Sequence, residues 1–502
     1  MLRTLIRVAL IGVVAVAIVG GVLYQVFGLR AVLDGGGMPR LAFVESSAEQ
    51  AARVERHREA QRAAASRASA GSDGGPPVPA AAAGGPAAGA PDPSFAPSSV
   101  DADGTAPVPS PPPPSSVPYW TDFRGPLRDG AYAEGPIRTD WPKNGLEPVW
   151  KQPAGGGYAS FAIARGRAFT IEQRGPREVV AAYDVPTGLE LWVDAWDAEF
   201  RETMGGDGPR ATPTWADGRV YALGATGELR ALDESSGRVL WRTNILEDSG
   251  AGNLDWGMSA SPLVAGDSVV VLPGGSNGRS VAAYHRVTGD RLWTALGDRQ
   301  SYASPMLVDL SGVRQLLVFS AERLLGLEPD DGTLLWEYPW VGPNGINAAQ
   351  PLVIGGNRIF VSSGYGAGAA VIEVSGSGAA FSVREVWRNT RMKNRFASSV
   401  LHEGTIYGLD ESILAAVDAA TGELKWKGGR YGYGQLLLAG GHLIVLAEDG
   451  DLALVRATPE RHEEIVRFPV LSGKTWNPPA MAGGYLLVRN LAEMAAFDLR
   501  VP

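Results

Sequence analysis

An eleven-residue cassette recurs along this chain and constrains its fold more than any other feature. It reads A-Y-D-V-P-T-G-L-E-L-W over Ala182–Trp192, with near-copies at Ala231–Trp241, Ala283–Trp293, Gly326–Trp336 and Ala416–Trp426. In all five, glycine stands four residues before tryptophan. Each copy ends one strand, turns and begins the next. The aspartate at the third position hydrogen-bonds the turn backbone, glycine supplies a positive φ, and the indole brings a large apolar body to bury. In the third copy His285 simply replaces that aspartate.

The spacing of the tryptophans sets the architecture. Trp150, Trp192, Trp241, Trp293, Trp336, Trp387 and Trp426 follow one another at intervals of 39 to 52 residues, and Phe468 lies 42 further on. A period of about 40–50 residues, with turns every eight to twelve, is that of propeller blades and excludes a helical array. A second column recurs as small-then-polar: Ala159-Ser160, Ala211-Thr212, Ala260-Ser261, Ala303-Ser304, Ala349-Gln350, Ser398-Ser399, Gly434-Gln435 and a last one near Asn477-Pro478. Crowding at the axis demands small side chains, so these eight starts mark innermost strands. The spacing predicts an all-β, eight-bladed propeller of four-stranded antiparallel blades over residues 147–502. The strand around Val149-Trp150-Lys151 is expected to complete the last blade and abolish the open edge.

Upstream, Val8–Leu29 carries no charge. As a helix this length spans roughly 33 Å, enough for a bilayer core. No small-x-small exit follows it, and the chain has no cysteine to lipidate, so the expectation is an uncleaved transmembrane helix within residues 1–30. Arg3 and Arg7 before the span place the rest outside the cytoplasm by the positive-inside rule. Residues 31–67 read as a charged juxtamembrane segment with a short solvated helix. Residues 68–118 read as a Pro/Ala/Gly/Ser-rich disordered linker, and 119–146 as a strap on the propeller.

The cassette A-x-D-x-x-T-G-x-x-x-W resembles the tryptophan-docking motif of the quinoprotein-type, pyrroloquinoline-quinone (PQQ)-like propeller family, and matching stretches cover 147–502. One copy is eroded, with an insertion between Glu373 and Trp387. The resemblance implies either a PQQ-dependent dehydrogenase or a cofactor-free interaction module of the kind found among propeller lipoproteins of the outer-membrane barrel-assembly machinery. A dehydrogenase would need a quinone stacked on a tryptophan, for which Trp256 is the candidate. It would also need Ca²⁺ held by oxygens such as those of Glu172, Asn253, Asp255, Asn347, Asn394 and Asp410. The vicinal disulfide of many such enzymes is impossible here, because the chain has no cysteine.

Other motifs carry little. Gly274–Gly278 fits a nucleophile elbow, but no helix pattern follows. Ser472-Gly473-Lys474-Thr475 ends like a phosphate loop, but Phe468 occupies its first glycine position. The five histidines show no metal spacing. A balance of 45 basic against 54 acidic residues argues against nucleic acid. No residue is assigned a catalytic or metal-ligating role and no cofactor is expected, PQQ with Ca²⁺ being the alternative.

The expected function is a binding or scaffold module of the cell envelope, anchored in the inner membrane and facing envelope proteins or peptides on the periplasmic side. Its expected recognition surface is the channel mouth, formed by Tyr158, Arg210, Trp256, Tyr302, Asn347, Tyr433 and Trp476. Aromatic side chains and arginine are the types enriched at binding hot spots.

Overall fold

The computed structural model describes residues 19, 29–33, 38–43, 45–71, 119–376 and 380–501. The chain divides into two compact units, residues 1–58 with 117–502, and residues 59–116. The apolar stretch Val8–Leu29 lies, but for residues 19 and 29, outside the described residues, as do residues 72–118 and the tip of the blade 5 insertion. Among the described residues no helix is long and apolar enough to cross a membrane.

Eight antiparallel sheets follow in chain order, each running from an inner to an outer strand. Blades 1 to 7 occupy 162–197, 214–244, 263–295, 306–339, 352–389, 400–430 and 435–469. Blade 8 takes three strands from 480–498, and its outer strand is Trp150–Pro153, with Trp150 paired to Ala496. The two ends of the ring therefore meet in one sheet, as the repeat count requires.

The cassettes fasten neighbouring blades. Trp150, Trp192, Trp241, Trp293 and Trp387 stack on the turn glycine of the following blade, and five indoles donate Nε1–H to a carbonyl of the following turn. Trp150 bonds Val185, Trp192 bonds Glu234, Trp241 bonds Arg286, Trp387 bonds Ala419 and Trp426 bonds Thr458, all at 2.8–3.0 Å. Two constraints fix the glycine. Its φ is positive, and a Cβ at Gly188, Gly289, Gly332 or Gly422 would lie 2.7 Å from the indole. Asp184, Asp233 and Asp418 accept from backbone N–H groups of their own turns, and His285 Nδ1 accepts from Thr288 N in the same way.

Four junctions depart from this pattern: Trp293 stacks on Gly332 but its Nε1–H finds no partner among the described residues, Trp426 meets His462 where the blade 7 turn has no glycine, and two more differ for visible reasons. Blade 5 has the eroded cassette, and its Gly376 packs against Ala380 and Phe381 rather than an indole; Trp336 turns back onto its own blade and donates to Gln315 Oε1. Its indole then lies over residue 326, where a Cβ would collide with it. This explains glycine at 326, where all four other copies have alanine. At the last junction Phe468 takes the tryptophan position and packs on Gly145, which stands in for the turn glycine that blade 8 lacks.

The polar members of the inner column do more than fit the crowded axis. The Ser160 N–H donates to Thr212, Thr212 N–H to Ser261, Ser261 N–H to Ser304, Ser304 N–H to Gln350 and Gln350 N–H to Ser398, at 2.9–3.1 Å. This relay ties six blades side by side. From blade 8, Asn477 Nδ2 donates to the carbonyls of Gly157 and Ala159 in front of blade 1.

The strap enters the bore. Tyr119–Trp120 pairs with the inner strand of blade 1, and Ala131–Tyr132 pairs parallel to that of blade 7. Between them Arg128 donates to carbonyls of Ser261, Pro262 and Pro305, on blades 3 and 4, while Arg124 donates to Ser398, Ser399 and Leu436, on blades 6 and 7. Burial lowers the pKa of both, that of Arg124 to about 10. The two guanidiniums span the bore and plug it.

Residues 47–58 correct the expectation of a solvated helix. The helix Ser47–Gly71 starts with a capping box, in which Ser46 Oγ accepts from Glu49 N while the Glu49 carboxylate accepts from Ser46 N. Val54 and Arg58 in it are fully buried. Arg58 donates to Gln152 and the Pro153 carbonyl and lies 3.4 Å from Glu190, so residues 47–58 are docked where blade 8 meets blade 1.

Candidate functional site: the mouth of the ring

All eight inner strands begin on one face, and the side chains entering them surround a cavity of about 440 Å³. Of the expected mouth residues, Tyr158, Arg210, Trp256, Tyr302 and Trp476 line it. The rings form a nearly continuous wall. Tyr158 stacks on Trp476 at 5.2 Å, Trp476 meets Phe396 at 4.6 Å, and Trp256 meets Tyr302 at 5.8 Å. Phe123, beside the plugging arginines, adds the strap's own contribution to the lining, so the cavity is blind.

Two expected residues stand elsewhere. Tyr433 packs behind Phe396 at 5.7 Å rather than on the lining. Asn347 is completely buried, and its amide joins the Ser320 carbonyl to Ser363. Its polarity serves the junction of blades 4 and 5, not the mouth. Sequence reasoning missed Met204, Gly205, Ile346, Tyr365, Arg395 and Phe396, which also line the cavity. They lie outside the regular strands, where no periodic signal marks them.

The loop 200–210 is drawn over the mouth by three side chains. Tyr158 Oη and Lys474 Nζ both donate to the Gly205 carbonyl, and Arg210 donates to the carbonyls of Gly206 and Gly208. Arg395 lies between the rings of Tyr365 and Tyr433 and pairs with Glu411 at 3.4 Å. Burial raises the Tyr158 phenol far above its usual range and pushes Tyr302 up to about 12. None of the side chains lining the cavity is a carboxylate, histidine or lysine.

The oxygens considered for calcium do not converge. Glu172 lies between Arg174 at 2.7 Å and Arg489 at 3.6 Å; burial alone would raise its pKa, but these guanidiniums and Arg58 hold it near 2. Asp410 is taken by Lys393 and Lys427. The Asn394 amide is bonded to the Leu409 carbonyl and Ser399, and Asn253 donates to the Ala225 carbonyl. Among the described residues no three His, Asp or Glu stand together as metal ligands. The candidate oxygens are spread from blade 1 to blade 6 and do not fit one calcium-quinone site.

Closed ring, docking indoles and blind mouth together define a PQQ-type, tryptophan-docked eight-bladed propeller. The profile of the family described as outer membrane protein assembly factor BamB matches residues 176–428, just over half of the chain. The chain belongs to that family. It is 23% identical over 376 residues to the BamB of Burkholderia pseudomallei, covering 69% of this chain and 89% of that one. It is 21% identical over 308 residues to that of Bordetella pertussis, covering 60% and 72%. Among solved structures, BamB from Moraxella catarrhalis superimposes with TM-score 0.52 at 15% identity, over 71% of this chain and 98% of that one. A quinohemoprotein alcohol dehydrogenase from Comamonas testosteroni gives 0.55 at 14%, over 77% and 82%. These two structural likenesses speak to the fold alone.

Proposed function

We propose that this protein is a non-catalytic scaffold of the cell envelope that binds proteins or peptides at the mouth of its propeller and serves outer-membrane protein assembly. The observation that carries the reading is the chemistry of the mouth. Seven aromatic rings and two arginines surround the cavity, and no lining side chain titrates near neutral pH, as proton transfer would require. Membership of the assembly-factor family supports the process. In this reading residues 1–30 anchor the chain in the inner membrane, residues 68–118 act as a spacer, and the propeller 147–502 works on the periplasmic side.

Photo-crosslinking from position 302 in intact envelopes tests the role, with adducts to outer-membrane assembly proteins as the expected outcome. Crosslinks to none of them would refute it. Dye-linked alcohol oxidation by the purified protein after addition of PQQ and Ca²⁺ would move it to the dehydrogenase class. Recovery in the soluble envelope fraction would refute the anchor.

A further inference from the structure

Arg210 has an unusual position. It is largely enclosed at the mouth, lying 4.8 Å from the Phe200 ring centroid and 5.6 Å from that of Tyr158. Its hydrogen bonds go to the neutral carbonyls of Gly206 and Gly208. Among the described residues it forms no ion pair, whereas Arg128 pairs with Asp122 at 2.9 Å and both Arg124 and Arg128 donate to several strand carbonyls. Taking a cation out of water is costly, and buried charges in folded proteins are normally paired. Glu202 and Asp207 act on it only from beyond ion-pair distance, so a guanidinium bonded to neutral carbonyls at the rim of a cavity can receive an anion.

The remaining features narrow that anion. The cavity is apolar and aromatic, with Ser259 and Gln435 as its neutral polar side chains apart from the tyrosines, so it suits an apolar body carrying a single charge. No carboxylate lines it; those of Glu202 and Asp207, in the loop 200–210, accept from backbone N–H groups of that loop. Arg124 and Arg128 plug the bore, so no chain can thread through; whatever enters must end there. An internal loop would carry unpaired backbone groups into an aromatic cup, whereas a chain end brings one side chain and one carboxylate.

Resting on the reading of the mouth as a protein-binding surface, we propose that it captures the carboxyl terminus of a partner polypeptide. The last, apolar or aromatic, side chain is held among Tyr158, Trp256, Tyr302 and Trp476, and the terminal carboxylate is bonded by Arg210.

The test is a calorimetric titration of the purified protein with the pentapeptide Gly-Ser-Gly-Val-Phe as free acid and as C-terminal amide. Sodium octanoate serves as the third ligand. The free acid is expected to bind at least tenfold more tightly than the amide and than octanoate. Arg210→Gln is expected to remove the preference for the acid, and Arg210→Lys to restore part of it. Unchanged melting curves establish that the variants are folded; if Arg210→Gln is not, the acid-to-amide ratio on the unaltered protein decides alone. Equal binding of acid and amide overturns the proposal, as does a preference that survives in folded Arg210→Gln. Octanoate binding as tightly as the peptide also overturns it, assigning the cavity to apolar acids in general. Failure here with assembly-protein crosslinks intact removes the chain-end proposal only; acid-selective binding without those crosslinks removes the assembly role only.

Discussion

The cassette makes a quantitative prediction at the junction of blades 2 and 3. Trp241 is 8% exposed, stacks on Gly289 and bonds the Arg286 carbonyl at 3.0 Å. Trp241→Ala uncovers roughly 150–250 Å² of buried surface, an upper bound of about 4–6 kcal/mol at ~25 cal/mol/Å². Measured losses for such truncations run at about 3–5 kcal/mol, so about 4 kcal/mol is expected. With an unfolding entropy of about 2.1 cal/mol/K per residue over a ring of roughly 350 residues, this lowers the Tm by roughly 5 °C.

Gly289→Ala perturbs the same contact from the other side. It puts a Cβ 2.7 Å from the indole and holds an L residue at φ +79°. Overpacking costs about 1–3 kcal/mol and the left-handed backbone about 1–2 kcal/mol. With the indole gone only the backbone cost remains, so the double variant should be about 1–3 kcal/mol more stable than the sum of the singles predicts. Melting curves of the four proteins, followed by circular dichroism, measure this coupling. An equal cost of Gly289→Ala in both backgrounds would refute the account of the docking glycine.

Three further outcomes are expected. Gly326→Ala should destabilise the ring by about 2 kcal/mol or more through collision with Trp336, although alanine is native at the matching positions 231 and 283; a Tm unchanged by it contradicts the displaced indole. Arg128→Met should cost about 3 kcal/mol or more, because buried carbonyls of blades 3 and 4 lose their donor. Denaturant melts check this, and a neutral result would mean the strap does not brace the bore. Burial of Glu178 raises its pKa from 4.5 to about 7. A raised acid favours folding while protonated, so wild-type stability should fall as pH rises from about 4.5 to 7. Glu178→Gln should gain up to about 3 kcal/mol over wild type at pH 8 and nothing at pH 4; a pH-independent difference would contradict the burial.

Much of the ring was legible because its determinants are local. Glycine, aspartate and tryptophan at fixed offsets specify a turn and a wedge without knowledge of the rest of the chain. Even the irregular junction was foreshadowed by the insertion before Trp387, though its effect falls on Trp336, one blade earlier. The strap was not legible in the same way. Arg124 and Arg128 look like surface charges in sequence, and only closure of the ring supplies the carbonyls that accept from them. The docked helix was misread because Val54 is its one large aliphatic residue among arginines and glutamates, while its other anchor, Arg58, is a charge. At the mouth, residues in register with the inner strands could be named in advance. Tyr365, Arg395 and Phe396 could not, because irregular segments carry no periodicity. Asn347 showed the limit of column reasoning: a polar side chain at the right height had turned into the wall.

The pairing of Trp150 with Ala496 also sets a timetable. Contacts so distant in sequence form late, since the intervening chain must first be ordered. A polypeptide emerging from its amino end makes the outer strand of its final sheet long before that sheet exists. Until residues 493–498 appear, the nascent protein is an open arc with a free seam at each end, and it must be shielded during that interval from pairing with other chains.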